Sequence, residues 1–168
     1  MKQFENKSQP LTLFVNGERR EVLIEGPQAT LGEVLREKLG LTGSKESCRC
    51  GECGSCTVLV DGKPVLSCIA LAVSARDKQI LTIEGLAAGG SLHPIQQAFV
   101  DAGAIQCGFC TPGMVMMAKA LLDENPAPTE LEVKEYLGGN LCRCTGYIKI
   151  VEAVLLAAER MGKGGEPK

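Results

Sequence analysis

The chain has 168 residues and a formal net charge of −2, the size of one ordinary domain or two small ones. Charged residues at 23% and hydrophobic residues at 45% exclude disorder and collagen-like sequence, and 18 basic residues against 20 acidic ones, with no basic block, exclude a nucleic-acid footprint. There is no Trp, but there are nine Cys and twenty Gly, a composition that points to backbone wrapped closely round something that thiolates hold.

The first half reads as a small sheet with one helix. Leu11 to Val15 alternates, Asn16-Gly17 is a two-residue hairpin turn, and Arg20 to Ile24 returns. Thr30-Leu31-Gly32-Glu33 has capping-box spacing and opens a helix with Leu31, Val34, Leu35 and Leu39 on one face. Gly40 closes it. A Gly/Cys-rich loop runs to Cys56. Thr57 to Val60, the turn Asp61-Gly62-Lys63-Pro64, and Val65 to Ser67 form a second hairpin. Gln79 to Ile83 is a fifth strand. The predicted architecture of this half is a β-grasp-like α+β domain.

After Gly85 the period becomes 3.6. Helices are predicted over Pro94 to Val100, Met114 to Leu122, the segment opened by the capping box Thr129-Glu130-Leu131-Glu132 and reaching Leu137, and Tyr147 to Met161. The last carries Ile148, Val151, Val154, Leu155 and Ala158 on its inner stripe. The methionines Met114, Met116, Met117 and Met161 read as core packing. Four short helices make a small bundle. The predicted organisation is an N-terminal arm (1–9), a sheet domain (10–88), a helical domain (89–161) and a tail (162–168), with the boundary in the small-residue run Ala87-Ala88-Gly89-Gly90.

The N-terminal residues Met1 to Lys7 hold no apolar signal core. Arg19-Arg20 is followed by Glu21-Val22-Leu23-Ile24-Glu25, too short and too charged for an export signal. No apolar run approaches the ~18 residues of a membrane helix. The expectation is therefore a cytoplasmic chain with no membrane insertion, where thiols stay reduced and clustered cysteines are more often metal ligands than bridges.

The cysteines fall into two sets. Cys48-x4-Cys53-x2-Cys56, followed by Cys68 after eleven intervening residues, has the plant-type [2Fe–2S] spacing. One tight loop presents three thiolates and the element after the second hairpin presents the fourth. Gly51 and Gly54 let main-chain N–H groups approach the sulfurs. Cys50-x2-Cys53-x2-Cys56 also resembles the start of a four-iron motif. That motif needs its fourth Cys followed by Pro, and here position 60 is Val60 and Cys68 is followed by Ile69. Cys50 is thus read as a spare thiol. The second set is Cys107-x2-Cys110 and, after thirty-one intervening residues, Cys142-x-Cys144. Each pair lies near the start of a predicted helix, whose partial positive charge suits an anionic group. Four thiolates in this pattern suit either structural zinc or a second iron–sulfur site. Arg143 between two of them is either a surface charge or a cation biasing the site.

Three strings carry a family resemblance: Cys48-Arg49-Cys50-Gly51-Glu52-Cys53-Gly54-Ser55-Cys56-Thr57-Val58-Leu59, Gln106-Cys107-Gly108-Phe109-Cys110-Thr111-Pro112-Gly113-Met114, and Gly139-Asn140-Leu141-Cys142-Arg143-Cys144-Thr145-Gly146-Tyr147. Together they resemble the iron–sulfur small subunit of the molybdenum hydroxylases, the family of xanthine dehydrogenase, aldehyde oxidoreductase and carbon monoxide dehydrogenase. The resemblance spans about residues 10 to 160. It implies two [2Fe–2S] clusters, one in a plant-ferredoxin-like β-grasp domain and one in a C-terminal four-helix domain. Cys48, Cys53, Cys56 and Cys68 would hold the first, and Cys107, Cys110, Cys142 and Cys144 the second. It also implies that Gln106 and Cys144 lie beside a molybdopterin on a large subunit, and that electrons leave through both clusters to FAD on a medium subunit. The implied assembly is a dimer of heterotrimers. Cys50 departs from the family pattern, which has a non-ligand, often acidic, residue there.

His93, the only histidine, precedes Pro94 at a helix start and is expected to cap that helix or sit at an interface. There is no Ser/His/Asp set, P-loop or dinucleotide fingerprint. The residues therefore read as a relay module, with substrate chemistry placed on another chain.

Overall fold

The computed structural model describes residues 8–87 and 89–163. Most of the expected arm (1–9) and tail (162–168) lies outside the described residues, although the first strand starts at Gln9 and the last helix runs to Lys163.

Strands β1 (Gln9–Val15) and β2 (Glu18–Ile24) pair antiparallel, from Gln9 opposite Ile24 to Val15 opposite Glu18. Asn16 at φ 54° and Gly17 at φ 81° form the turn, whose left-handed residues match the strand twist. Thr30 caps helix α1 (Leu31–Glu33): its hydroxyl accepts from the Glu33 N–H at 3.2 Å, and the Glu33 carboxylate accepts from the Thr30 N–H at 2.8 Å. The expected α-helix to Leu39 widens into a π-helical turn over Val34–Lys38. Leu31, Val34 and Leu35 still point into the core. Arg36 on that turn donates to the carbonyls of Thr42 and Ser44, at 3.0 and 2.6 Å, and so ties the start of the Cys-rich loop to the helix.

Strands β3 (Thr57–Val60) and β4 (Lys63–Leu66) form the second hairpin. Its turn needs only Asp61 and Gly62, both at positive φ, so Lys63 and Pro64 belong to β4 rather than to the turn. Pro64 is tolerated because β4 is an edge strand of the sheet, whose order is β2-β1-β5-β3-β4. Strand β5 (Gln79–Leu81) runs parallel to β1 and antiparallel to β3. It ends two residues earlier than predicted because the Thr82 N–H turns to the Asn16 side chain at 2.9 Å, and a 3₁₀ turn over Ile83–Gly85 follows.

The second half contains helices α2 (Pro94–Asp101), α3 (Thr111–Glu124), α4 (Glu130–Tyr136) and α5 (Ile148–Lys163). His93 caps α2, its Nδ1 accepting from the Ile95 N–H at 3.2 Å. Thr129 caps α4 through the predicted box. Met114 and Met116 are fully buried, and Met117 and Met161 pack against the same core. The inner stripe of α5 differs from the predicted one. Ile150, Val151, Ala153, Val154 and Ala157 are buried, Leu155 and Ala158 are half-buried, and Ile148 is 69% exposed. Tyr147 bends back to the preceding loop, which leaves Ile148 outside at the first helical position.

Alternation on β3 joins the two halves. Val58 and Val60 belong to the core shared with α1, whereas Leu59 between them belongs to the core of the helices. Leu81 and Ile83 pack on that second side too. The sheet therefore carries α1 on one face and α3 on the other. Among the described residues, no helix is long and apolar enough to cross a membrane.

Candidate metal centres

The first set of cysteines is assembled by the Cys-rich loop and the second hairpin. Cys56 immediately precedes β3 and Cys68 follows just after β4. The register puts Thr57 opposite Leu66, so the hairpin itself brings Cys56 and Cys68 together. The Cys56 carbonyl accepts from the Ser67 hydroxyl at 2.8 Å and the Ser44 hydroxyl at 3.3 Å. The segment after β4 is anchored in turn to the start of α1: the Leu31 N–H donates to the Ala70 carbonyl at 2.7 Å and the Gly32 N–H to the Ser67 carbonyl at 2.8 Å. Those are donors that a helix start leaves without intrahelical partners.

Cys48 and Cys53 come from the loop itself. Arg49, Gly51 and Gly54 all take positive φ, and this winding turns main-chain N–H groups toward the Cys48 sulfur. The Glu52 N–H lies 3.4 Å from it. Donation from the N–H groups of Cys50, Cys53 and Glu52, helped by the Cys53 thiol, lowers the Cys48 thiol to about 6. Burial, followed by the neighbouring Cys56 thiol, pushes Cys68 up to about 12. Cys50 is exposed, and contact with the Cys48 thiol and then burial raise its thiol.

The second set straddles two helix starts. Cys107 and Cys110 precede α3, and Cys142 and Cys144 precede α5. The sulfurs of Cys107 and Cys144 are 3.5 Å apart, and both residues are exposed, whereas Cys110 and Cys142 are half-buried. Burial and then the Cys142 thiol push Cys110 up to about 12. Burial acts on Cys142 in the same upward sense, but the hydroxyl and N–H of Thr145 and the N–H of Cys144 overcome it and hold that thiol down at about 7.

The thiols are in contact within each set: Cys48 with Cys53 and with Cys50, Cys56 with Cys68, Cys107 with Cys144, and Cys110 with Cys142. Among the described residues no three His, Cys, Asp or Glu side chains converge where a single metal ion could sit. Structural zinc requires four ligands on one centre. A two-iron cluster divides its four thiolates between two irons, and each set supplies four cysteines. The N–H groups aimed at Cys48 and Cys142 also suit a group that puts negative charge on sulfur.

The two sets adjoin. A cavity of about 400 Å³ is lined by Cys107, Cys110, Cys142 and Cys144 together with Cys53 of the other set. The Leu141 N–H donates to the Cys53 carbonyl at 3.0 Å, which links the two ligand loops by main chain. Asn140, buried at 4% exposure, donates its side-chain amide to the Gly54 carbonyl at 3.0 Å. The predicted site residue Gln106 is exposed next to Cys107, and Arg143 is exposed on the cavity wall. Asn140, Leu141, Thr145 and Tyr147 stand within the quoted strings, but sequence reasoning gave them no role. Their roles depend on contacts that spacing does not disclose.

Two family models match consecutive parts of the chain: a 2Fe-2S iron-sulfur cluster binding domain over residues 13–82 and a [2Fe-2S] binding domain over residues 82–155. The chain is 53% identical over 150 residues to the nicotinate dehydrogenase small FeS subunit of Eubacterium barkeri, covering 89% of this chain and 95% of that one. It is 52% identical over 132 residues to the xanthine dehydrogenase iron-sulfur-binding subunit of Escherichia coli O157:H7, covering 77% and 82%. The chain belongs to the iron–sulfur subunits of the molybdenum hydroxylase family. A solved structure of quinoline 2-oxidoreductase from Pseudomonas putida 86 superposes on this iron–sulfur subunit with a TM-score of 0.89 at 45% identity, over 95% of this chain and 99% of that one. As a member of the family, the subunit is part of a molybdenum-dependent oxidoreductase.

Proposed function

We propose that this iron–sulfur subunit carries electrons between a molybdopterin site on a large subunit and FAD on a medium subunit, with two [2Fe–2S] clusters as its own cofactors. In this reading residues 10–88 are a plant-type β-grasp domain and residues 89–161 a four-helix domain, within a cytoplasmic complex built as a dimer of heterotrimers. The observation that carries it is the gathering of eight cysteines of the two motifs into two adjoining sites, joined at the cavity that Cys53 shares with Cys107, Cys110, Cys142 and Cys144.

Cys48, Cys53, Cys56 and Cys68 would hold one cluster, and Cys107, Cys110, Cys142 and Cys144 the other. A bound [2Fe–2S] cluster supplies a one-electron carrier at each site. The protein's part is to seat, shield and space the thiolates. Cys56 and Cys68 are buried at 2% and 8% exposure, which keeps water from that side. Cys107 and Cys144 lie outward, where Gln106 and Cys144 would face the pterin. The Cys53–Leu141 main-chain link fixes one site against the other. No group on this chain is assigned to substrate chemistry.

The test is iron and acid-labile sulfide on natively purified material. Four of each per chain are expected, with a molybdenum-containing chain copurifying. Two or fewer irons with tightly bound zinc would end the reading. Full iron in a chain that purifies alone would favour a free-standing ferredoxin.

A further inference from the structure

The loop between Cys142 and α5 is wound more tightly than holding two thiolates requires. Tyr147 sits at φ 68° directly after Gly146 at φ 65°. Glycine takes that region without strain, but a bulky aromatic residue there is an outlier that persists only when its surroundings fix it. What fixes Tyr147 is visible. Its phenol oxygen accepts from the Cys142 N–H at 2.9 Å, and its own N–H donates to the Thr145 hydroxyl oxygen at 3.2 Å. Thr145 completes the circuit, donating to the Cys142 sulfur from its hydroxyl at 3.1 Å and from its N–H at 3.4 Å.

The direction of each bond follows from the donors available. A main-chain N–H can only donate, so Tyr147 occupies a lone pair of the Thr145 hydroxyl. The hydroxyl proton is then left to point at sulfur. Main-chain N–H groups and the neighbouring thiols of Cys53 and Cys50 approach Cys48. Cys142 receives a side-chain O–H in addition, at a half-buried position where such a bond acts strongly.

Building on the ligand assignment proposed above, we infer that Thr145, held in place by Tyr147, is a positioning residue that raises the reduction potential of the cluster bound through Cys142. An O–H directed at a ligand sulfur stabilises the more negative, reduced form. Among the described residues no hydroxyl donates to Cys48, so the cluster bound through it should not feel the change.

The experiment is an EPR-monitored redox titration of the purified complex for wild type, Thr145→Val and Thr145→Ser, with iron and sulfide measured on each. Valine keeps the shape and removes the hydroxyl, and serine restores it. Thr145→Val should move one of the two cluster signals to lower potential. About a tenfold change in its reduction equilibrium is expected, about 59 mV for one electron. The other signal should stay put, and Thr145→Ser should return the first toward wild type. A fully loaded Thr145→Val with both signals unmoved overturns the inference, and so does an equal shift of both. If valine prevents loading, Thr145→Ala is titrated in its place. Loss of the cluster from both, with retention in Thr145→Ser, would mark Thr145 as structural and also overturn it. Wild type lacking four irons and four sulfides would instead overturn the ligand assignment on which it rests.

Discussion

The side-chain amide of Asn140 and the main-chain carbonyl of Gly54 meet at 3.0 Å although 86 residues separate them. Gly54 lies between two cysteines of the first site, and Asn140 lies two residues before Cys142 of the second. This buried bond and the Cys53–Leu141 main-chain bond beside it make one joint between the two sites. Asn140→Ala should remove the amide donor and leave the Gly54 carbonyl with one partner fewer. That carbonyl keeps the Thr57 hydroxyl at 2.7 Å and the Thr57 N–H at 3.1 Å, so the loss costs about 0.5–1.5 kcal/mol. For a chain of this length each kcal/mol corresponds to a fall of roughly 2–4 °C in melting temperature. Thermal unfolding of the loaded subunit checks this, and an unchanged midpoint would remove Asn140 from the joint.

Gly113 is the other half of that joint. It lies in the first turn of α3, where alanine would ordinarily stabilise a helix by about 1 kcal/mol over glycine. Here an added Cβ would stand 2.4 Å from the Gly54 carbonyl oxygen and 3.1 Å from the Asn140 amide nitrogen. The first of these is backbone and cannot swing aside. Overpacking of this kind costs about 1–3 kcal/mol, so the sign reverses and Gly113→Ala should lower the midpoint. Gly162→Ala in α5 is the control, since a Cβ there meets nothing within 4 Å. It should leave the midpoint unchanged or slightly raised.

Such pairs mark where the sequence stops being legible. The hairpins at Asn16-Gly17 and Asp61-Gly62, the capping boxes at Thr30 and Thr129, and the cap at His93 all rest on interactions within a few residues, and the structure contains each of them. Periodicity starts the last helix at Tyr147, whereas α5 starts at Ile148, because Tyr147 takes a left-handed conformation that hydrophobic periodicity does not register. The widening of α1 into a π turn was equally hidden, since its 3.6-residue pattern is intact. Spacing separated the cysteines into two sets, but which thiol faces which depends on the β3–β4 register and on two helix starts meeting. Asn140 and Gly113 carry no chemistry, and only the close approach of the two loops gives them a role.

Cys50 tests the boundaries of the first site. It is exposed and touches Cys48 through its thiol, yet it stands outside the plant-type spacing that the other four cysteines fill. Cys50→Ser should leave iron, sulfide and both EPR signals at wild-type levels, whereas Cys48→Ser should lose the first signal. The reverse pattern would make Cys50 the ligand and Cys48 the spare.

His93 should give the helical half a pH dependence of definite sign. Its Nδ1 must be unprotonated to accept from the Ile95 N–H. Burial, and then the charge of Lys119, hold its pKa below the ordinary value of 6.5, with Asp123 opposing. Above 6.5 both folded and unfolded chains carry neutral histidine and the cap is intact. As the pH falls through 6.5 the unfolded chain takes up its proton first while the folded chain resists, so stability declines until the pH has passed the lower folded value. The melting temperature should therefore drop between about pH 7 and pH 5. His93→Asn supplies an N-cap acceptor that does not titrate. Its carboxylates are those of the wild type, so the difference between the two pH slopes isolates the histidine. The variant should show the shallower slope, and parallel slopes would refute a titrating cap at His93.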